Sequence, residues 1–216
     1  MSIASNLSKI KASIPDYVSL VAVSKTKPVA DLMQAYDAGQ RIFGENKIQE
    51  MTDKWQEMPK DIEWHMIGHV QTNKVKFMAE YVSLIHGVDS LKLLEEINKQ
   101  ALKHNRIINC LLQVYIAQED TKFGFDENEL LKLLLSKEFL ELNNIKITGL
   151  MGMASFSDDE NQVKKEFEYL KSIFDDLNIN QYNLEILSMG MSGDYKIAID
   201  CGSNMVRIGS SIFGSR

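Results

Sequence analysis

The sequence predicts one closed barrel of eight parallel β-strands, each followed by a helix: an α/β, (β/α)8 TIM-barrel fold filling residues 1–216 as a single domain. Three observations carry that expectation. Eight short β-rich runs alternate with amphipathic stretches, the pattern of parallel βαβ units. The chain has 216 residues, within the range of a fold whose typical size is about 250 and whose lower edge is about 200. The last run lies almost at the C-terminus, where it can close the ring beside the first. An open doubly wound sheet is the competing architecture, and the number of runs favours the barrel.

The runs begin at Val18-Ser-Leu-Val-Ala-Val23, Arg41-Ile-Phe43, Glu63-Trp-His-Met-Ile67 and Val82-Ser-Leu-Ile85. They continue with Asn109-Cys-Leu-Leu-Gln-Val-Tyr115, Lys146-Ile-Thr-Gly-Leu150, Leu184-Glu-Ile-Leu187 and Met205-Val-Arg-Ile208. Between the fourth and fifth, Ser90 to His104 places Leu91, Leu94, Ile97 and Leu102 near helical spacing. Between the sixth and seventh, Glu160 to Leu177 does the same with Val163, Phe167, Leu170 and Phe174. Asp126 and Asp158 suit helix N-caps, and Asn143-Asn144 suits a turn. Prolines occur only at 15, 28 and 59, and no Gly/Ser-rich linker interrupts the pattern, so one domain is expected.

Composition excludes several classes of function. The formal net charge is -6, from 24 basic and 30 acidic residues. That balance argues against a nucleic-acid surface and gives no support to an anionic-membrane anchor. Cys110 and Cys201 form no CxxC pair, so redox or metal spacing is absent. His65, His69 and His86 match no metal motif and read as hydrogen-bonded strand-end residues. Met1 to Lys11 has no apolar secretory core, and no run of about eighteen apolar residues exists, so a soluble cytoplasmic protein is expected. Trp64 and Phe43 read as core or pocket wall, and Met151, Met153, Met189 and Met191 flank strand ends where core packing is the expectation.

In a barrel, chemistry collects where the strands end. Ser24-Lys25-Thr26 follows the first run, Gly44-Glu45-Asn46 the second, and Gly68-His69 the third. Gly87 and Asp89 follow the fourth and Gly152-Met153 the sixth. Ser188-Met-Gly-Met-Ser-Gly193 follows the seventh, and the eighth runs into Arg207-Ile-Gly-Ser-Ser211. Lys25 starts against the barrel core. It is either a solvated rim lysine or an inward one whose desolvation lowers its pKa and frees an amine for imine formation. The glycine-serine segments after the seventh and eighth runs suit an anion, and they coincide with the phosphate site common in this fold. A lysine facing a phosphate site suits a phosphorylated carbonyl compound. Pyridoxal phosphate and the sugar phosphate of an imine-forming aldolase both fit. Arg207 discriminates: facing a pyridine nitrogen it would keep that nitrogen unprotonated, because arginine keeps its own protons. A salt bridge or a direct phosphate contact is its plainer role.

Five ordered segments resemble the signatures of the pyridoxal phosphate homeostasis protein family. They are Ala22-Val-Ser-Lys-Thr-Lys-Pro28, Phe43-Gly-Glu-Asn-Lys-Ile-Gln-Glu50, Trp64-His-Met-Ile-Gly-His-Val-Gln-Thr-Asn-Lys74, Leu187-Ser-Met-Gly-Met-Ser192 and Val206-Arg-Ile-Gly-Ser-Ser-Ile-Phe-Gly214. The family is similar to the N-terminal barrel of alanine racemase. The resemblance implies pyridoxal 5′-phosphate as cofactor, a Schiff base on Lys25, and phosphate held by Ser192, Gly209 and Ser210. It also implies Arg207 opposite the pyridine nitrogen and Asn46 and Met189 lining the pocket. Lys47 stands where the family commonly has tyrosine, and Ser210 where threonine is frequent. The implied role is buffering, carrying or delivering the cofactor, with apoenzymes as recipients and no turnover. A racemase is the alternative. Racemases of this type draw a second acid/base from an extra β domain, for which the sequence up to Arg216 leaves no room, so a non-catalytic monomer is expected.

Overall fold

Short apolar runs become strands here because both of their faces are buried: helices cover the outside and side chains fill the inside. The computed structural model describes residues 2–117 and 123–214. Among the described residues the strands are β1 (Ser19–Val23), β2 (Ile42–Glu45), β3 (Glu63–Met66), β4 (Leu84–Val88), β5 (Ile108–Gln113), β6 (Ile145–Met151), β7 (Ile186–Met191) and β8 (Met205–Ile208). They close in sequence order into a parallel barrel, the architecture expected. The closing ladder pairs Ser19, Leu20, Val21 and Ala22 of β1 with Met205, Val206, Arg207 and Ile208 of β8.

The helices are α1 (Ile3–Ser13), α2 (Val29–Asp37), α3 (Ile48–Glu57), α4 (Leu91–Lys103), α5 (Glu127–Leu135), α6 (Lys137–Leu140), α7 (Glu160–Ile179), α8 (Tyr195–Asp200) and α9 (Ser210–Phe213). A 3-10 turn, Thr72–Phe77, stands in for a helix between β3 and β4. Asp126 caps α5 through a reciprocal capping box with Glu129. The cap of α7 is Asp159 and not Asp158, because the Asp159 carboxylate is the one that accepts from the N–H groups of Asn161 and Gln162. On α4 the buried stripe is Leu93, Leu94, Ile97 and Ala101, whereas Leu102 is 59% exposed. The inward stripe therefore runs one position out of step with Leu102.

Strand limits also differ from the sequence pattern. Gly44, Glu45 and Gly87 lie inside β2 and β4. β7 continues through Met191, with an irregular register between Ser188 and Met191 and Gly190 at φ +96°. A glycine supplies that conformation with little strain.

Two apolar layers result. Inside the barrel, Val21, Leu84, Leu111, Met151 and Met205 pack together. Between sheet and helices lies a larger core that includes Phe43, Trp64, Phe167 and Leu170. Cys110 is buried in it, and burial pushes its thiol well up, so it stays protonated and inert. No helix among the described residues is long and apolar enough to cross a membrane.

At Gly149 the backbones of β6 and β7 leave no room for a side chain. A Cβ on Gly149 would sit 1.8 Å from the carbonyl oxygen of Ile186. Gly149→Ala must push the two strands apart and is expected to cost about 3 kcal/mol or more. Urea denaturation of the purified variant checks this, and a midpoint equal to that of the parent would contradict the approach.

Candidate functional site at the barrel mouth

The strand order carries Lys25, at the end of β1, next to the segment that leaves β8. Gly209 makes this closeness tolerable: a Cβ there would meet the Val23 carbonyl oxygen at 3.0 Å and the Val23 Cβ at 3.2 Å. The Gly209 N–H donates to the Ser192 Oγ at 3.3 Å, which ties the segment after β7 to the one after β8. From Ser210 the chain turns into α9, whose first N–H groups have no intrahelical acceptor. The result is a pocket of about 620 Å³ that opens at the C-terminal ends of the strands.

Lys25, Asn46, Ser192, Arg207, Gly209 and Ser210 all line this pocket. Met189 does not. Its side chain is fully buried in the outer core between sheet and helices, and Met191, two residues on, faces the pocket instead. Lys47 is exposed at the start of α3. A second, smaller cavity of about 250 Å³ is walled by leucines and isoleucines with Tyr182 and Phe139. That lining carries no amine and no cation for a charged compound.

Beneath the pocket runs a buried polar chain. Arg207, 4% exposed, donates from Nη1 to the Ser188 carbonyl at 2.9 Å and to the Ser188 Oγ at 2.6 Å, and from Nη2 to the Gly152 carbonyl at 3.0 Å. Ser188 Oγ lies 3.1 Å from His86 Nδ1, and His86 Nε2 lies 3.0 Å from His65 Nδ1. Arginine only donates, so the Ser188 hydroxyl accepts from it, and its second lone pair and its proton are both left for His86 Nδ1. The direction of the Ser188–His86 bond sets that of the next one: His86 Nε2 donates to His65 if Ser188 donates to Nδ1, and accepts from His65 if it does not. Burial pushes His65 down to about 3. Burial, aided by His65 and Arg207, pushes His86 well below its ordinary value. Both rings are thus neutral acceptor–donor links. Burial pulls Arg207 down to about 10, still a cation at neutral pH. Among the described residues no carboxylate forms an ion pair with it, so the salt-bridge role weighed for it is not what the fold provides.

His69 sits at the rim, paired with Asp89 at 3.1 Å and stacked on Phe123 at 4.4 Å between ring centroids. Among the described residues no group of three or more His, Cys, Asp and Glu side chains is placed to hold a metal.

Sequence reasoning missed one group. Behind Lys25, Lys54 of α3 and Glu45 are buried together, the half-buried Glu50 pairs with Lys54, and the Ser24 hydroxyl donates to Glu45 Oε1 at 2.6 Å. Burial raises the Glu45 pKa, with Lys54 opposing, and its Oε2 is buried without a hydrogen bond. The i,i+4 spacing of Glu50 and Lys54 was a signal. It did not say that Lys54 sits on the buried face with Ile48 and Met51.

The family profile described as "Alanine racemase, N-terminal domain" matches residues 1–216. A pyridoxal phosphate homeostasis protein of Pasteurella multocida is 38% identical, over 100% of this chain and 98% of its own length. One of Escherichia coli K12 is 36% identical, over 99% and 97%. Among solved structures, PipY of Synechococcus elongatus with PLP bound superposes with a TM-score of 0.90 at 34% identity, covering 99% of this chain and all of its own. An alanine racemase of Clostridium difficile superposes at 0.81 with 15% identity, this chain spanning 57% of it. That likeness is one of fold alone.

The buried histidines make stability depend on pH. Unfolded histidine titrates near 6.5 and these two titrate far lower when folded, so below 6.5 the unfolded chain binds more protons. Stability is therefore present above about pH 6.5 and lost as pH falls towards about 3, by up to about 1.4 kcal/mol per pH unit for each ring. Urea midpoints taken from about pH 6.5 to about pH 5 should fall steadily, and His65→Gln should flatten the slope. An unchanged slope in the variant would show that other groups carry it.

Proposed function

Because the chain belongs to the alanine racemase N-terminal domain family and, within it, to the pyridoxal phosphate homeostasis proteins, we propose that it binds pyridoxal 5′-phosphate as a Schiff base on Lys25. Its role is then to buffer, carry or deliver the cofactor. The observation that carries this reading is the meeting of three chemistries in one pocket: the Lys25 amine, the Ser192–Gly209–Ser210 rim and the buried Arg207 cation. An amine suits an aldehyde, serine hydroxyls and backbone N–H groups suit a phosphate, and a cation that cannot give up a proton suits a pyridine nitrogen. The volume, about 620 Å³, falls in the range of about 300–1,000 Å³ usual for cofactor sites.

The cofactor, when bound, supplies an aldehyde and a conjugated ring that can take up electrons. The protein's own groups then decide what is done with them. The Lys25 nitrogen adds to the aldehyde carbon and one water leaves; the reverse step, with water entering from the open mouth, releases the cofactor again. Ser192 and Ser210 orient the phosphate by donating to its oxygens. Arg207, held by Ser188 and Gly152, leaves the ring nitrogen without a proton and so weakens the ring's pull on electrons. Those features favour holding and release over turnover. In the cytoplasm a monomer of this kind would pass cofactor to apoenzymes that depend on it.

Mixing purified protein with pyridoxal phosphate should produce the visible absorption band of a Schiff base, and Lys25→Ala should remove it. No alanine racemisation should accompany the band; racemisation lost on Lys25→Ala would establish the enzymatic alternative instead. A colourless mixture would point to the imine-forming aldolase chemistry. Ser192→Ala or Ser210→Ala should weaken cofactor affinity about tenfold or more, because each removes a hydrogen bond to a charged group worth about 1.5–3 kcal/mol. A fluorescence titration checks this, and unchanged affinity in both variants would move the phosphate elsewhere.

A further inference from the structure

The backbone around Lys25 is held in an unusual way. Thr26, the next residue, has φ +63°, a left-handed conformation that β-branched residues rarely adopt. A turn bond inside the loop, from the Lys27 N–H to the Ser24 carbonyl oxygen at 3.1 Å, closes it, and groups outside the loop add to that hold. The outside groups are charged and come from one helix. Lys54 Nζ donates to the Ser24 carbonyl oxygen at 2.8 Å. Glu50 Oε1 accepts from the Thr26 N–H at 2.6 Å. Lys54 and Glu50 meet each other at 2.7 Å, and Lys54 meets Glu45 at 2.7 Å.

The Ser24 carbonyl belongs to the peptide unit before the Lys25 Cα, and the Thr26 N–H to the unit after it. Fixing both units fixes the two backbone dihedrals of Lys25, and with them the direction in which its side chain leaves the backbone. The three N–H donors of Lys54 are all used, on Ser24, Glu45 and Glu50. Its side chain is 7% exposed and that of Glu45 is fully buried. A buried ion cluster is weak evidence for stability in itself. This one is aimed at the two peptide units beside the pocket's amine.

We propose that Glu50 and Lys54 are positioning residues for Lys25: with Glu45 they clamp its two flanking peptide units and so aim the amine at the carbonyl compound bound in the pocket. The inference rests on the reading of Lys25 as the imine-forming lysine. Neither Glu50 nor Lys54 lines the pocket, so their action passes through the backbone. Glu50, whose side chain is 24% exposed, is the better site to test, because its loss leaves Lys54 a route to water.

The test uses the full chain with Glu50→Ala, Glu50→Gln and Glu50→Asp. Three quantities are read: hydrogen exchange of the Thr26 amide, the rate at which the Schiff-base band grows with pyridoxal phosphate, and affinity for pyridoxine 5′-phosphate, which lacks the aldehyde. In Glu50→Ala the Thr26 amide should exchange at least about tenfold faster and the band should grow about tenfold more slowly. Pyridoxine phosphate affinity should not change. Glu50→Gln, whose amide oxygen can still accept from both partners, should restore most of the rate. Glu50→Asp, one methylene short, should behave like the alanine variant at smaller amplitude, and it stands in if the alanine variant does not fold. A wild-type rate in Glu50→Ala, unchanged Thr26 exchange, or Glu50→Gln as slow as Glu50→Ala would overturn the proposal. If the wild-type protein gives no band, the Schiff-base reading fails by itself, and Thr26 exchange alone then decides the clamp.

Discussion

The pairing of β8 with β1 is the constraint on which the site depends. Four consecutive residue pairs, from Ser19–Met205 to Ala22–Ile208, join segments that lie at opposite ends of the sequence. Without that closure Lys25 and Arg207 have no reason to share a pocket. With it, the ladder sets Val21 beside Arg207 and the next pairs bring Gly209 against Val23. A ring of parallel strands also aligns all the strand ends on one face. Polar groups from β1, β2, β7 and β8 therefore meet although no two neighbouring segments carry them together.

Burying a guanidinium in such a ring is costly unless its donors are used. The fold meets this with neutral acceptors: one serine and the carbonyls of Ser188 and Gly152. The orientation of that serine then dictates the tautomers of two histidines deeper in the barrel. The arrangement keeps a cation at the pocket wall; among the described residues no carboxylate pairs with it directly, and Asp194 of the same pocket acts on it from beyond ion-pair distance. Such a cation opposes protonation of a nearby base, which is the electronic opposite of what a strong electron sink requires. The clamp behind Lys25 works on the other half of the chemistry, the direction of the amine. Both devices act through the backbone or through a second side chain.

Much of this could be read from residue order. Alternating apolar runs fixed the number of strands, and the glycine-serine segments after the last two marked the pocket, because both signals are local. Strand limits were less legible: Gly44 and Glu45 look like a turn, yet pairing with His65 and Met66 of β3 keeps them in the ladder. Met189 was misplaced because strand alternation turns it away from the interior that Ser188 faces, and the irregular register around Gly190 brings Met191 to the pocket instead. Leu102 looked apolar enough for the core, but its helix rotates a different stripe inward. Lys54 was passed over because a lysine on an amphipathic helix is normally a solvated one. Only the fold shows that Glu45, nine residues earlier on β2, waits for it.

The most direct measurement is covalent. Reduction of the protein–pyridoxal phosphate adduct with borohydride, followed by peptide mapping, locates the nitrogen that holds the cofactor. A pyridoxyl group confined to Lys25 is the predicted result. A label on Lys27, or one spread over the exposed lysines with Lys25 unmodified, would contradict it.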